Sequence, residues 1–395
     1  MVSPKMLELG KKSSVIREIF EYGLKRKAEI GAENVFDFSL GNPSVPAPQK
    51  VTDVINKLVS ETPAEVLHGY TSGPGDMKVR TKVAEYIANK FGVDAKAGNV
   101  YMTCGAAASL TITLNAIVEE GDEVIAFAPF FPEYRVFVEQ TGAKLVTVSC
   151  KKDDLQIDFE ALEASINKNT KAVIINSPNN PSGVIVPEKD VIRLAELLNK
   201  KQQEYGKEII LISDEPYREL VFTGEKVVYI PTVYDNSVVC YSYSKALSLP
   251  GERIGYIFVS PKMKSSADVF AAVCGAGRAL GYVCAPSMMQ YVISECLDDT
   301  ADVSVYEKNR NLLYNALTDI GYTVIKPDGA FYMFVKSLED DANAFYERAK
   351  KFDLLIVPSD SFGVEGFVRI SYCVDTDLIE RSIPAFKSLY EDYNK

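Results

Sequence analysis

A single histidine, His68, and no tryptophan occur in the 395 residues. One imidazole cannot furnish the histidine sets of most metal hydrolases, and His68 stands in His68-Gly69-Tyr70-Thr71-Ser72-Gly73 without metal-binding neighbours. A loop or helix-end position is its plain reading, and most Ser-His-Asp schemes are excluded with it. No metal site is expected. The seven cysteines (104, 150, 240, 274, 284, 296 and 373) are odd in number, scattered, and never spaced C-x-x-C. They read as free thiols and small buried hydrophobes of a reducing compartment, not as a disulfide frame or a zinc site. No apolar run approaches the roughly 20 residues of a membrane helix. The opening Met1-Val2-Ser3-Pro4-Lys5 leads into charged residues and lacks an apolar signal core. Basic charge is also short: 43 Lys and Arg stand against 54 Asp and Glu, a net charge of −11 without any basic cluster. Nucleic acid and anionic membranes are therefore not expected partners, and the expected location is cytoplasmic.

What is present is an ordinary globular balance, 47% hydrophobic and 25% charged. The length exceeds one typical core, so two domains are expected. Strands are expected at residues 123–127, 144–150, 171–177, 208–213, 238–243 and 254–259, with amphipathic stretches such as 187–203 between several of them. Strand then helix, repeated, implies an α/β domain with a mainly parallel sheet covered on both faces. A helix is expected near 14–30, followed by a turn-rich stretch at 40–48. Beyond about residue 285 the pattern loosens into α+β, with strands at 331–335 and 367–371 between helices near 303–319 and 342–352. The expected organisation is a large domain over 46–285 and a smaller α+β domain built from 1–45 and 286–395.

In an open α/β sheet, ligands bind outside the carboxyl ends of the strands. Four unusual segments fall there: Pro129-Phe130-Phe131-Pro132-Glu133-Tyr134, Ser177-Pro178-Asn179-Asn180-Pro181-Ser182-Gly183, Asp214-Glu215-Pro216-Tyr217 and Ser242-Tyr243-Ser244-Lys245. Each has a bland reading. Asn-Pro-Ser-Gly is a turn, Asp214 can cap a helix, Phe131 can be core, and most lysines are solvated. Lys245, however, lies among small hydroxyls and apolar residues, with Arg253 eight positions on. Burial disfavours an ammonium ion, so a lysine in such surroundings can be a neutral nucleophile near pH 7. The commonest cofactor that needs one is pyridoxal phosphate, held as a Schiff base.

At these residues the chain resembles the class I aminotransferases, the aspartate aminotransferase family of fold type I pyridoxal-phosphate enzymes. The likeness runs from Gly41 to Arg369 and rests on Ser177–Gly183, Asp214–Tyr217 and Ser242–Lys245 with Arg253-Ile254-Gly255, in that order. The resemblance implies a seven-stranded sheet in the large domain, pyridoxal phosphate, amino acid and 2-oxo acid substrates, and a homodimer. It implies that Lys245 carries the cofactor and moves the proton at the substrate Cα, and that Asp214 pairs with the pyridine nitrogen. Asn180 and Tyr217 take the ring oxygen, and Phe131 stacks on the ring. Gly105, Ala106 and Ala107 open a helix expected over 106–118; such amides, with Ser242 and Arg253, suit the phosphate. Tyr70 matches a tyrosine that reaches the phosphate of a neighbouring subunit. Arg369, in Gly366-Phe367-Val368-Arg369-Ile370-Ser371, is charged amid apolar residues and needs an anion. An internal salt bridge is the bland account. The resemblance makes it the clamp on the substrate α-carboxylate, with Asn180 beside it and the loop of Gly41 closing over it.

The chain also departs from the best-known aspartate enzymes. Phe131 stands where they carry an indole, and Ala106-Ala107-Ala108 brings no hydroxyl to the phosphate. Arg278, read with a small gap, matches the arginine that reads a distal carboxylate across the dimer; an exposed loop arginine is the alternative. Gly275-Ala276-Gly277-Arg278-Ala279-Leu280-Gly281 has the wrong spacing for G-x-G-x-x-G, which sets aside a nicotinamide oxidoreductase. The expected activity is ping-pong transamination, with aspartate or a related dicarboxylic amino acid and 2-oxoglutarate. A carbon–sulfur β-lyase or an aromatic aminotransferase on the same fold is the alternative. A ligand-sensing domain that borrowed the fold is disfavoured, since every catalytic position is filled.

Overall fold

The computed structural model describes residues 1–11 and 14–395. Seven strands form the central sheet: β1 (Val100–Thr103), β2 (Glu123–Ala128), β3 (Lys144–Ser149), β4 (Thr170–Asn176), β5 (Ile210–Asp214), β6 (Ser237–Ser242) and β7 (Gly255–Val259). Their order is β1-β7-β6-β5-β4-β2-β3. The pairs among β2 to β6 are parallel, and β7 alone runs against both its neighbours. β5, β6 and β7 are buried along their whole length, as strands covered on both faces must be. Successive side chains serve opposite faces. Ile174 and Ile212 pack with Leu110 and Leu114 of the helix Ala106–Ile117, whereas Val173 and Leu211 pack with Leu194 and Leu198 of the helix Glu188–Tyr205.

Six strands lie where the apolar runs place them, with ends moved by one or two residues. β1 is the strand those runs do not announce: it has four residues, all buried, too few to mark a period. The glycine-rich stretch after Cys274 is helical through Ala279, within Ser266–Ala279. A Cβ at Gly277 would stand 2.1 Å from the Tyr101 hydroxyl, so that glycine permits close packing. The helix expected over 342–352 ends at Ala349 and tightens to a 3₁₀ turn, because Asp353 takes a left-handed conformation.

A second core joins both ends of the chain. Ile19, Val35 and Phe38 pack with Leu313, Phe345 and Phe386. Phe36–Asp37 pairs in parallel with Leu354–Leu355, and Tyr332–Lys336 pairs antiparallel with Phe367–Ser371. The helix Ser287–Ser294 instead sends Met289, Val292 and Ile293 into the core beside Val79, Val83 and Ile87.

Candidate active site

The register of the parallel strands sets Asn176 beside Asp214 and Asp214 beside Cys240 at their carboxyl ends. The loops that follow are thereby brought to one edge. Asp214 ends β5 fully buried; its Oδ2 accepts the Tyr134 hydroxyl at 2.5 Å, and its backbone carbonyl accepts Asn176 Nδ2 at 2.8 Å. Oδ1 is buried and has no hydrogen-bond partner. Burial pushes this carboxyl up to about 7, with the Tyr134 hydroxyl pulling it down and Glu215 adding a smaller upward push. Glu215, on the opposite side of the chain, is neutralised by Arg218 and accepts Ser213 Oγ at 2.6 Å.

Lys245 stands on the single turn Tyr243–Ala246, whose start is capped by Ser242 Oγ accepting the Ser244 amide at 3.2 Å. Its Nζ donates to the Gly41 carbonyl at 2.8 Å and lies 5.4 Å from the centre of the Phe331 ring. Burial lowers this amine to about 8; neighbouring Cys373 opposes the shift and Arg253 and Arg369 assist it. An amine at that value has a substantial neutral fraction at physiological pH.

Arg369 is 2% exposed, the largest of the fully buried side chains. Nη1 donates to Asn180 Oδ1 at 3.1 Å and Nη2 to the Ser39 carbonyl at 2.6 Å, while Nε has no partner. The Tyr332 ring covers the guanidinium at 4.6 Å. It pairs with no carboxylate among the described residues, which removes the internal salt bridge. A buried guanidinium without an anion is a receptor for one. Tyr217 and Tyr332 share a hydrogen bond of 3.0 Å between their hydroxyls. A Cβ at Gly41 would stand 1.9 Å from the Tyr332 hydroxyl, so only glycine fits there.

At the other end of the pocket, Gly105 takes φ 86° ahead of the helix Ala106–Ile117. Its Cβ would meet Arg253 Nη2 at 2.9 Å. Arg253 donates to the Pro250 carbonyl at 2.9 Å and has no ion pair among the described residues. Helix-start amides at Ala106 and Ala107 beside an uncompensated arginine form an anion cradle from backbone donors. Ser242 and Ser244 share a hydrogen bond of 2.8 Å between their hydroxyls. Phe131 is half-buried and meets Tyr134 edge-on, with ring centroids 5.8 Å apart.

The chain therefore gathers Gly41, Asn180, Tyr217, Lys245 and Arg369 through contacts that run by way of Ser39 and Tyr332, with Asp214, Phe131 and the Gly105–Arg253 cradle at the same sheet edge. Two expected residues remain apart. Tyr70 is 92% exposed, and Arg278 is exposed in the last turn of its helix instead of on a loop. Sequence reasoning missed Tyr134, Tyr332 and Cys373. Tyr134 closes a segment already singled out, and an aromatic three residues beyond Phe131 was its signal; Tyr332 and Cys373 carry none, because strand and loop residues are common at both positions.

The residues fit pyridoxal phosphate on three counts: an orphaned carboxylate oxygen for a protonated ring nitrogen, a desolvated amine for the aldehyde, and an anion cradle for the phosphate. A mainly parallel sheet with such an edge defines a fold type I pyridoxal-phosphate enzyme. The sequence model of the family described as aminotransferase class I and II matches residues 33–386. The chain belongs to that family, and it is a pyridoxal-phosphate-dependent aminotransferase. It is similar to the crystal structure of an amino transferase from Eubacterium rectale, with a TM-score of 0.98 and 56% identity over 100% of both chains. The probable aspartate aminotransferase of Methanocaldococcus jannaschii is 28% identical over 96% of this chain and 98% of its own length. Aromatic-amino-acid aminotransferase 2 of Thermococcus litoralis is 24% identical over 96% of each. No described helix is long and apolar enough to cross a membrane, and no described cluster of His, Cys, Asp or Glu could hold a metal ion.

Proposed function

We propose that the enzyme moves the amino group of aspartate, or a related dicarboxylic amino acid, to 2-oxoglutarate in two half-reactions, as a cytoplasmic homodimer. Bound pyridoxal phosphate supplies the electron sink that lets the substrate Cα–H bond break. Lys245 would hold it covalently, and its free amine would take and return the proton at Cα. Asp214 would hold the ring nitrogen through its unpartnered Oδ1, and a cation there would favour the carboxylate form and reverse the effect of burial. Asn180 and Tyr217 would hold the ring oxygen, with Tyr332 fixing the Tyr217 hydroxyl. Phe131 supplies an apolar face. Gly105, Ala106, Ala107, Ser242 and Arg253 hold the phosphate, and exposed Tyr70 completes the phosphate site of the other subunit.

Arg369 grips the α-carboxylate bidentately, beside Asn180 and under the Gly41 loop. Arg278 reaches the other subunit's substrate and reads the distal carboxylate. The observation that carries this reading is the pair Lys245 and Arg369: a desolvated amine and an anion-free guanidinium are tied to Gly41 and Ser39, two residues apart. Reduction with borohydride followed by peptide mapping is expected to place the cofactor on Lys245; a label on any other lysine refutes the assignment. A panel of amino acids, followed by loss of cofactor absorbance, is expected to favour aspartate or glutamate.

An aromatic donor is the second reading, supported by Phe131 where a hydrogen-bonding indole is absent and by the name of the Thermococcus relative. Faster half-reactions with phenylalanine or tyrosine select it. Pyruvate release from cystathionine without a keto-acid acceptor selects β-elimination instead.

A further inference from the structure

Four successive carbonyls of the segment entering the site are each claimed by a different donor. The Ser371 amide donates to Phe38 O at 3.0 Å, and Arg369 Nη2 to Ser39 O at 2.6 Å. The Cys373 thiol donates to Leu40 O at 3.6 Å, and Lys245 Nζ to Gly41 O at 2.8 Å. Three of these donors are a backbone amide and the two charged groups of the site. Cys373, 3% exposed, is the fourth.

We propose that Cys373 is a positioning residue, whose thiol fixes the peptide between Leu40 and Gly41 so that the Gly41 carbonyl meets the Lys245 amine. The proposal rests on the role given to Lys245 above. A carbonyl at hydrogen-bond distance favours the ammonium form and opposes the desolvation of Lys245. Loss of the Leu40 tether lets the Gly41 peptide turn away, and the amine then titrates lower still.

The thiol suits this place for a physical reason. Burial raises it to about 12, against the pull of Lys245 and Arg369, so it keeps its proton and donates it. It brings a donor within the field of the lysine without bringing a negative charge. A carboxylate there would pair with Lys245 and hold it charged. An alkyl group would leave Leu40 O without its side-chain donor.

Lys245 is faced by Cys373, Arg253, Arg369, the Phe331 ring and the Gly41 carbonyl. Cys373 is faced in addition by Tyr306, Tyr332 and Tyr372, whose hydroxyls burial pushes upward. Lys245 is therefore the group among them that titrates between neutral and mildly alkaline pH.

The test uses the full chain freed of cofactor and labels Lys245 with a limiting amine-acylating reagent across a pH series. The midpoint is read by mass spectrometry of the Lys245 peptide. In Cys373→Ala, and in the better-filled Cys373→Val, the midpoint is expected to fall by roughly half a unit to one unit, the effect of losing a hydrogen bond to a charged group. Cys373→Ser, which keeps a donor, is expected to restore the wild-type midpoint. Hydrogen exchange at the amides of Gly41 and Asn42 is expected to quicken in the two donorless variants and not in the serine variant.

An unchanged midpoint in Cys373→Ala and Cys373→Val overturns the proposal. So does a serine variant that shifts as far as they do, because the thiol then acts only by filling space. Trapping of the cofactor on another lysine would sink the assignment of Lys245. It leaves this measurement readable, since no cofactor takes part in it.

Discussion

Asp214 makes the cofactor-free protein less stable, and the cost can be worked from its surroundings. Its carboxyl is raised from 3.8 to about 7, chiefly by burial. A carboxyl raised in the folded state costs nothing below the unfolded value of 3.8. The penalty builds as pH rises toward 7 and is constant above it. About three units at about 1.4 kcal/mol each give a penalty of about 4 kcal/mol at pH 8. Asparagine cannot ionise and escapes the penalty, but its amide leaves buried N–H groups without acceptors, at about 1–3 kcal/mol. Asp214→Asn is therefore expected to stabilise the cofactor-free protein by about 1–3 kcal/mol at about pH 8, read from urea unfolding, and to lose that advantage near pH 4. Saturating pyridoxal phosphate is expected to reverse the order, because the ring nitrogen gives the wild-type carboxylate a cationic partner and the amide has no charge to offer. A variant that is no more stable than wild type at pH 8, or a gain equal at both pH values, refutes the reasoning.

Lys245→Ala is expected to lose borohydride-fixed cofactor and at least about 10³-fold in the half-reaction rate, followed by stopped-flow absorbance. Arg369→Ala removes the buried guanidinium at the carboxylate end; kcat/KM is expected to fall by about 10²–10³-fold, mostly in KM, while pyridoxal phosphate still binds. Arg278→Ala is expected to cut kcat/KM for aspartate by about tenfold or more and to spare alanine; equal effects on both remove the distal-carboxylate role. Gly41→Ala forces a methyl against the Tyr332 hydroxyl, so thermal unfolding is expected to show a loss of about 1–3 kcal/mol, with activity falling as well.

Apolar runs made the sheet legible because its central strands are buried on both faces, and such strands read as continuous hydrophobic stretches flanked by turns. β1 escaped because Val-Tyr-Met-Thr, though buried throughout, is too short to be told from a helix end. Asp214, Asn180 and Lys245 were readable since polar residues at strand ends are rare and their neighbours are turn formers. Tyr332 and Cys373 were not, because their importance lies in one hydroxyl and one thiol aimed at residues far away in sequence. Arg278 was legible as an arginine and no more, since an exposed side chain on one helix turn carries no mark of a role.

The hydrogen bond between Arg369 and Ser39 spans 330 positions of the chain. Synthesis runs from the amino end, so the strand edge bearing Lys245 is complete while the first 45 residues still wait for their partners. The pairing of Phe36 with Leu354 and the grip of Arg369 on Ser39 become available only once residues 354 and 369 have been made. A nascent chain can thus own a finished large sheet and a lysine able to meet an aldehyde, yet no means of recognising an amino acid. Selectivity is acquired later than the sheet that carries the chemistry.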